Sequence, residues 1–279
     1  MTKLIQAQNL SIGWLNALEY LLFSGGKDLN LVVEIERIDQ ENTHVRQLLD
    51  DFLARQRERK GKDFYPVVTV ANTLFPQALY NPQRGEKARP FLYEKAEQSF
   101  EITRRLQANC YGTYFQRMIA WSGKQRKVNQ LETIIQRLHS GLKRSNPLSS
   151  AYEIGLSDVE EMDTNTEEIR IYQPGKDGRI IGFPCLSHIS LTLDKRKLHL
   201  TALYRNQYFI QKAYGNFLGL SRLLSFLSQE IGCEPGQLVC IASHADAEVK
   251  LGRAIITSLL RQCKSSTVFT QRELFERNK

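Results

Sequence analysis

The sequence contains no run of 18 or more apolar residues, and none of its cysteines form a pair at the spacing of a zinc site. The first absence argues against a membrane-spanning helix, and the second argues against the common cysteine-based zinc sites. The first residues lack the apolar core of a secretory signal peptide. Five cysteines, an odd number, therefore fit free thiols in a reducing compartment, and we expect a cytoplasmic protein.

Dense clusters of one charge are also scarce. The 279 residues carry a net charge of +8 with 42% hydrophobic and 24% charged residues, which is ordinary for a globular protein that meets anionic partners such as nucleotides. The basic run at residues 55–62 indicates a solvated helix end more than a nucleic-acid patch. The acidic residues at 158–163 lack the spacing of a calcium loop, so we expect no metal site there.

Apolar periodicity predicts both helices and strands, in no regular alternation. The predicted helices cover residues 12–23, 45–56, 91–106, 128–142, 216–227 and 248–260. The predicted strands cover residues 29–35, 169–172, 187–193, 197–204 and 238–242. Residues 65–79 fit either a short strand or a short helix, and residues 81–90 and 231–236 read as loops. This pattern indicates one large domain of the α+β class.

Two of these predictions carry the most weight. Residues 187–193 and 197–204 alternate apolar and polar side chains, so they form a hairpin turned at Asp194-Lys195. The segment from Asn216 to Leu227 is apolar on nearly all sides, so it should be a central buried helix.

A possible site lies around these elements. Cys185 follows Pro184, Arg205 comes 20 residues later and Asn216 comes 31 residues later. A thiol can act as a nucleophile, a guanidinium can hold an anion, and an amide can read a polar heterocycle. Plainer interpretations stay open. Cys185 can be an inert core thiol, Arg205 can pair with an acidic group, and Asn216 can be only the N-cap of the helix.

The segments around these residues resemble the catalytic half of thymidylate synthases. Pro184-Cys185-Leu186 is similar to the family's Pro-Cys-His, and Leu203-Tyr204-Arg205-Asn206 is similar to its Tyr-Gln-Arg-Ser. Tyr214-Gly215-Asn216 resembles its Pro-Phe-Asn, and Glu234-Pro235-Gly236-Gln237 resembles its Glu-x-Gly-Asp loop. The spacing matches without a gap over about a quarter of the chain.

Upstream the resemblance is looser. Tyr111-Gly112 followed by Trp121 resembles the family's Tyr-Gly and tryptophan segment, and the opening residues resemble short archaeal-type members. The resemblance implies an α+β fold with a twisted mixed sheet, a long buried central helix and a back-to-back homodimer. It implies one domain over residues 1–279, with a catalytic half at about 182–263 and an insertion at about 157–180.

The resemblance also implies a reaction and its residues. The expected reaction transfers a one-carbon unit from 5,10-methylenetetrahydrofolate to C5 of a pyrimidine nucleotide. Cys185 would be the nucleophile, and Tyr111 would assist proton movement. The residues that would bind the substrate are Arg205, Asn206, Asn216, Ser243 and Asp246. No folate-binding residues are recognised.

Several departures keep other functions open. The family's phosphate-binding arginine pair should fall near Ser149-Ser150, where no such pair exists, and its organising glutamate has only Glu94 as a weak candidate. Alternatives are therefore a pyrimidine nucleotide hydroxymethylase and a catalytically degenerate nucleotide-binding or assembly protein. A nucleic-acid-binding protein is the least favoured, because no known motif for that function is present.

Overall fold

The computed structural model describes residues 2–61, 63–105, 112–122, 127–142, 168–171 and 184–277. Its helices are α1 (Leu10–Phe23), α2 (Thr43–Lys60), α3 (Val67–Leu74), α4 (Ala88–Thr103), α5 (Tyr114–Ile119), α6 (Gln130–Leu142), α7 (Tyr214–Ile231) and α8 (Arg253–Arg277). Its strands are β1 (Lys3–Asn9), β2 (Lys27–Arg37), β3 (Trp121–Ser122), β4 (Lys127–Val128), β5 (Glu168–Arg170), β6 (Leu186–Asp194), β7 (Lys197–Tyr204), β8 (Gln207–Tyr208) and β9 (Glu234–Asp246).

These elements belong to two compact units. The first unit comprises Met1–Ala71, Tyr204–Ser221 and Gln237–Lys279, and the second comprises Asn72–Leu203 and Arg222–Gly236. Helices and strands are mixed in both, and the strands run in mixed orientations, which agrees with the predicted α+β class.

The first unit is built on a mixed sheet. Strand β1 pairs in parallel with β2, β2 pairs antiparallel with β9, and β8 pairs in parallel with β9. Helix α1 connects β1 to β2 and covers one sheet face, where Leu31, Val33 and Ile35 are fully buried. Gly13 permits this packing, because a Cβ at that position would lie 3.2 Å from Ile35 Cγ1.

Helix α7 is the predicted buried helix. It begins at Tyr214, two residues before the predicted start, and directly follows a π-helical turn at Phe209–Ala213. The turn is held by a hydrogen bond from Trp14 Nε1 to the Phe209 carbonyl oxygen, 2.7 Å long. The Trp14 ring also packs edge-on against Tyr214, with ring centroids 5.6 Å apart. A buried aromatic residue of α1 thus fixes the entrance of α7.

The second unit contains the predicted hairpin. Strands β6 and β7 are neighbours, and β5 pairs antiparallel with β6. The turn is formed by Lys195 and Arg196, with φ angles of 44° and 66°, and not by Asp194-Lys195. Two successive positive φ angles are the mark of a type I′ turn, whose twist matches that of the strands. Neither residue favours this conformation, so composition alone placed the turn one residue too early.

The core of the second unit is aromatic. Phe75 contacts Tyr80, Phe115 and Phe226, with ring centroids between 4.9 and 6.1 Å apart. Helix α6 is capped by Asn129, whose side chain accepts a hydrogen bond from the Glu132 amide at 3.0 Å.

Some predicted boundaries are wrong. Strand β1 was not predicted, and residues 234–236, part of the predicted loop at 231–236, are the start of β9. Residues 82–87 form 3-10 turns that lead into α4 at Ala88, where a loop was expected. Residues 67–74, left open between strand and helix, form α3. The predicted insertion at 157–180 lies almost entirely outside the described residues, as does Tyr111.

Candidate functional site

Several predicted substrate residues of the first unit lie where β8 meets the end of β9. Arg205 and Asn206 form the two-residue connection between β7 and β8. Strand β8 pairs with β9 at Gln207↔Ala245 and Tyr208↔Asp246. This register places Asn206 beside His244, and their side chains are hydrogen-bonded, with 2.6 Å between Asn206 Oδ1 and His244 Nδ1. Both side chains are half-buried.

Ser243 lies at an irregularity of the sheet. The β2–β9 ladder pairs Leu29 with His244 and Leu31 with Ala242, but skips the position between them. The skipped residue of β2 is Asn30, whose φ angle is 55°. The regular alternation of buried and half-buried residues along β9 ends at the same point, leaving Ser243 and His244 both half-buried. Half-buried polar side chains at a break in a sheet remain able to meet a ligand.

Asp246 is engaged within the chain. Its carboxylate lies 3.1 Å from Lys27 Nζ and accepts a hydrogen bond from the Glu248 amide at 2.7 Å. Only 9% of the residue is exposed. This predicted substrate-binding residue therefore already has two partners in its own unit.

Glu248 is a buried carboxylate that the sequence did not single out. It accepts hydrogen bonds from the Ile210 and Gln211 amides at 2.8 and 2.9 Å, and from Gln211 Nε2 at 2.6 Å. Burial raises the pKa of the Glu248 carboxyl, and the hydrogen bonds from Gln211 and Ile210 oppose that rise. The backbone of Glu248 is left-handed, with φ 57° and ψ 40°. The residue thus ties the β9–α8 connection to the turn before α7.

Asn216 is buried but lacks such partners. It is the third residue of α7 and only 4% exposed. It is not the helix N-cap, because α7 starts two residues earlier and continues from the π-helical turn. Within the part of the chain that the structure describes, its side-chain amide makes no hydrogen bond. Its polar atoms are not among the fully buried atoms that lack a partner, so they keep a small exposure through which a ligand could reach them.

The backbone around Asn216 has no room to shift. A Cβ on the preceding residue, Gly215, would lie 2.6 Å from Val70 Cβ and 2.8 Å from the Val67 carbonyl oxygen. Since both atoms belong to α3, glycine at this position lets α7 contact α3 backbone directly. The depth of Asn216 in the first unit is therefore fixed by close packing.

In the second unit the candidate nucleophile lies beside a tyrosine. Cys185, a half-buried free thiol, directly precedes β6. Tyr114 is the first residue of α5, which is capped by Thr113 Oγ1 accepting from the Gln116 amide at 3.2 Å. The pKa of the Tyr114 phenol is raised by burial and by the nearby Cys185 thiol, while backbone hydrogen bonds from Leu186 and Cys185 oppose the rise. Tyr114 thus contacts the backbone at the nucleophile.

Sequence reasoning assigned proton movement to Tyr111 and missed Tyr114. Tyr111 lies outside the described residues. Tyr114 is three residues further along the chain. What distinguishes Tyr114 is its contact with the backbone of Cys185 and Leu186, more than 70 positions away. A local sequence pattern cannot predict a contact over that distance.

The other described thiols are poorer candidates. Burial raises the pKa of Cys233, and it raises the pKa of both Cys240 and Cys263 to about 12. A thiol must ionise to attack, so these three cysteines are weak nucleophiles at neutral pH.

Metal ligands and membrane-spanning helices are the next two features to consider. Among the described residues, no three His, Cys, Asp or Glu side chains converge as metal ligands. None of the helices in the described ranges combines the length and apolarity needed to cross a bilayer.

Comparison with known proteins finds relatives that share one printed name. No family model matches it. A protein of Methanosarcina mazei named "putative thymidylate synthase" is 23% identical over 244 residues, which cover 87% of this chain and 88% of the relative. Proteins of the same name from Methanosarcina barkeri and Methanococcoides burtonii are 26% identical over 170 residues (61% of this chain, 63% of the relative) and 22% over 244 residues (87% and 88%). At 22–26% identity, the chain is similar to these proteins over 61–87% of its length.

The match to thymidylate synthase-like proteins extends well beyond the motifs. An alignment over 87% of the chain includes far more than the quarter that carries the recognisable motifs. The resemblance inferred from the residues is therefore confirmed at the level of the family. The carboxylates of Asp246 and Glu248 are both held by groups of the first unit.

Proposed function

We propose that this protein transfers a one-carbon unit from 5,10-methylenetetrahydrofolate to C5 of a uracil-type pyrimidine nucleotide, through a covalent adduct between Cys185 and C6. The observation that carries the proposal is Asn216. It stands at the family's base-reading spacing, is 4% exposed, and its side-chain amide makes no hydrogen bond within the described chain. One donor and one acceptor on that amide match the N3–H and O4 of uracil.

Cys185 would start the reaction. Its thiolate forms a bond to C6, and the electron pair of the C5–C6 double bond moves onto C5 and O4. C5 then forms its bond to the one-carbon unit and loses its proton. Departure of the Cys185 thiolate restores the double bond, so the enzyme is regenerated. Tyr111 would assist the proton movement at C5.

The folate would supply the carbon, whose bond to the folate nitrogen would break to release the product, and for a methyl product it would also supply the hydride. None of the described residues is assigned to the folate by its contacts. The residues assigned in this proposal all act on the nucleotide.

The nucleotide would be held by groups of the first unit. Arg205 and Asn206 form the connection before β8 and would contact the phosphate, since a guanidinium and an amide both donate to phosphate oxygens. Ser243, half-buried at the break in the β2–β9 ladder, is a further substrate-binding residue in this scheme. Asp246 would act from its Lys27-bound position at the sugar end.

A second candidate is a protein that binds nucleotide without turnover. The absence of an arginine pair near Ser149-Ser150 favours it, as do the two internally bonded carboxylates of Asp246 and Glu248. A hydroxymethyltransferase is the third candidate, and it differs from the first only in the fate of the one-carbon unit.

We also propose that the chain is a single thymidylate synthase-like domain that forms a back-to-back homodimer. The sheet face of the first unit opposite α1 carries apolar side chains that are not fully buried, which supports this proposal. Leu4 is 50% exposed, and Val32, Val239 and Ile241 are half-buried. A charge placed there by Ile241→Glu should convert a dimer to monomer in light scattering, whereas a wild-type chain that is already monomeric would contradict the dimer.

Product analysis tests the reaction. The protein is incubated with methylenetetrahydrofolate and either dUMP, UMP or dCMP, and the nucleotides are separated and identified by mass. A 5-methyl product supports the first candidate and a 5-hydroxymethyl product the third. Nucleotide binding with no product from any of the three would favour the binding protein. Cys185→Ala should abolish any product, while Cys233→Ala, a second half-buried thiol, should not.

A further inference from the structure

Tyr214, the first residue of α7, carries a hydroxyl that is hydrogen-bonded on two sides. It lies 2.7 Å from Ser11 Oγ of α1 and donates to Glu41 Oε2 at 3.2 Å. Tyr214 and Ser11 are both buried. Burial raises the pKa of the Tyr214 phenol, so the group keeps the proton that it donates. The start of α7 is therefore tied by hydrogen bonds to two other segments of the first unit.

The hydrogen bonds around Tyr214 run in one direction. The Asn42 amide donates to Ser11 Oγ at 2.7 Å. A carboxylate only accepts, so the Tyr214 proton points to Glu41 and the Ser11 hydroxyl donates to Tyr214. Arg46 Nη1 lies 2.9 Å from Glu41 Oε1, which leaves Oε2 for the phenol. Each donor in this chain of bonds has an acceptor, so the position of the phenol oxygen is well determined.

Tyr214 and Asn216 lie on opposite sides of α7. Two residues further along an α-helix, the side chain is turned by about 200° around the axis. The Tyr214 ring packs against Trp14 of α1, so Asn216 projects from the side of α7 that faces away from α1. Gly215, between them, sets how closely α7 approaches α3. The Tyr214 hydroxyl is thus placed to fix the remaining freedom of this turn, its rotation about the helix axis.

We propose that Tyr214 is a positioning residue for base recognition: its hydroxyl sets the rotation of α7 at which Asn216 meets a pyrimidine. This inference rests on the proposed function, which gives Asn216 a base to read. The Pro-Phe-Asn motif that residues 214–216 resemble has no hydrogen-bonding side chain at its first position. The bonds of the Tyr214 hydroxyl are therefore a feature of this chain and not of the motif.

Base discrimination is the property that such positioning should control. The oxygen and the NH₂ group of the Asn216 amide match uracil in one orientation and cytosine when the amide is flipped. A rotation of α7 would move both groups relative to the base. Loss of the Tyr214 hydrogen bonds should therefore reduce the preference between the two bases, and not only the affinity for one of them.

The preference is measured with dUMP and dCMP, whose dissociation constants are determined by calorimetry for the wild type and Tyr214→Phe. The wild type should prefer dUMP. Tyr214→Phe keeps the ring beside Trp14 and should lower the preference about threefold to tenfold, the range expected for one lost hydrogen bond. A residue that only stabilises the fold would leave the ratio of the two constants unchanged.

Matched variants separate positioning from a structural role. Glu41→Gln keeps an acceptor for the phenol and should retain most of the preference, whereas Glu41→Leu should lower it as Tyr214→Phe does. These two variants also carry the test if Tyr214→Phe does not fold. Tyr20→Phe removes a phenol that donates to Asp28 in the same unit, and it should behave as the wild type.

Two kinds of result would overturn the inference. A preference that persists in folded Tyr214→Phe and Glu41→Leu, or that is absent from a wild type binding both nucleotides, would refute the positioning role and leave the proposed function intact. Failure of the folded wild type to bind either nucleotide would overturn the proposed function and this inference together.

Discussion

Asn216 and Glu248 are both polar, nearly fully buried and part of the first unit, yet their surroundings differ. Asn216 is 4% exposed and Glu248 is 7% exposed. Glu248 accepts three hydrogen bonds from Ile210 and Gln211, whereas the Asn216 amide has no partner among the described residues. Burial alone therefore does not distinguish a structural polar group from one kept for a ligand. The number of hydrogen bonds that the polar group makes within the protein does distinguish the two.

The two regions are also physically connected. Glu248 holds the amides of the turn at Phe209–Ala213, and α7 with Asn216 follows that turn directly. A fully bonded carboxylate thus supports the segment that presents an unbonded amide.

Glu248→Ala should lower the free energy of unfolding by about 2–4 kcal/mol, because two buried amides lose their acceptor. Urea denaturation measures this change. Glu234→Ala, which alters an exposed carboxylate at the start of β9, is the control and should change it by less than about 0.5 kcal/mol. An equally small effect of Glu248→Ala would remove the contrast with Asn216.

Asn216→Leu should weaken nucleotide binding and leave the free energy of unfolding almost unchanged. We expect the affinity for dUMP to fall about tenfold to a hundredfold, since the base loses both hydrogen bonds of the amide. The free energy of unfolding should change by less than about 1 kcal/mol, because no internal hydrogen bond is broken. Calorimetry with dUMP and denaturation of the same sample measure both quantities. A variant that unfolds readily would show that Asn216 is structural.

Tyr114→Phe extends the comparison to the second unit. The phenol oxygen accepts hydrogen bonds from the backbone at Cys185 and Leu186, so its loss should loosen this segment and change the rate of iodoacetamide alkylation of Cys185 about threefold to tenfold. Peptide mapping follows the modified cysteine over time. Tyr20→Phe, in the first unit, should leave the rate unchanged. Identical rates for all three proteins would leave Tyr114 without a role at the nucleophile.

The smallest expected effect concerns pH. Because burial raises the pKa of Glu248 in the folded state, the folded protein holds this proton at a pH where the unfolded chain has lost it. The free energy of unfolding of the wild type, relative to Glu248→Gln, should therefore rise as pH falls through the raised pKa towards the ordinary value. A difference that is constant or falls over that range would contradict the raised pKa.

Much of the frame around this site follows from local sequence. The alternation in β6 and β7 predicted the hairpin, and the apolar surface of α7 predicted the helix, because burial sets the pattern of apolar residues in both. Strand β1 was missed, since Lys3–Asn9 becomes a strand only by pairing with β2. The start of β9 was read as a loop because Pro235 and Gly236 usually break strands.

The site itself was predictable only in part. Cys185, Arg205 and Asn216 stand out by residue type and spacing, and the resemblance gave them roles. The partners of Asp246, Glu248 and His244 lie on other elements, at Lys27, Ile210 and Asn206. Since such pairings depend on sheet register, residue type alone could not show that the two carboxylates are occupied and the imidazole is oriented.

The most direct test of the proposed function is the intact mass of the protein after incubation with methylenetetrahydrofolate and 5-fluoro-dUMP. Fluorine at C5 cannot leave as a proton does, so the covalent complex should accumulate. The account predicts a mass gain equal to nucleotide plus folate in the wild type and in Cys233→Ala, and none in Cys185→Ala. An unmodified mass for the folded wild-type protein after incubation with 5-fluoro-dUMP would contradict the account and favour a binding protein.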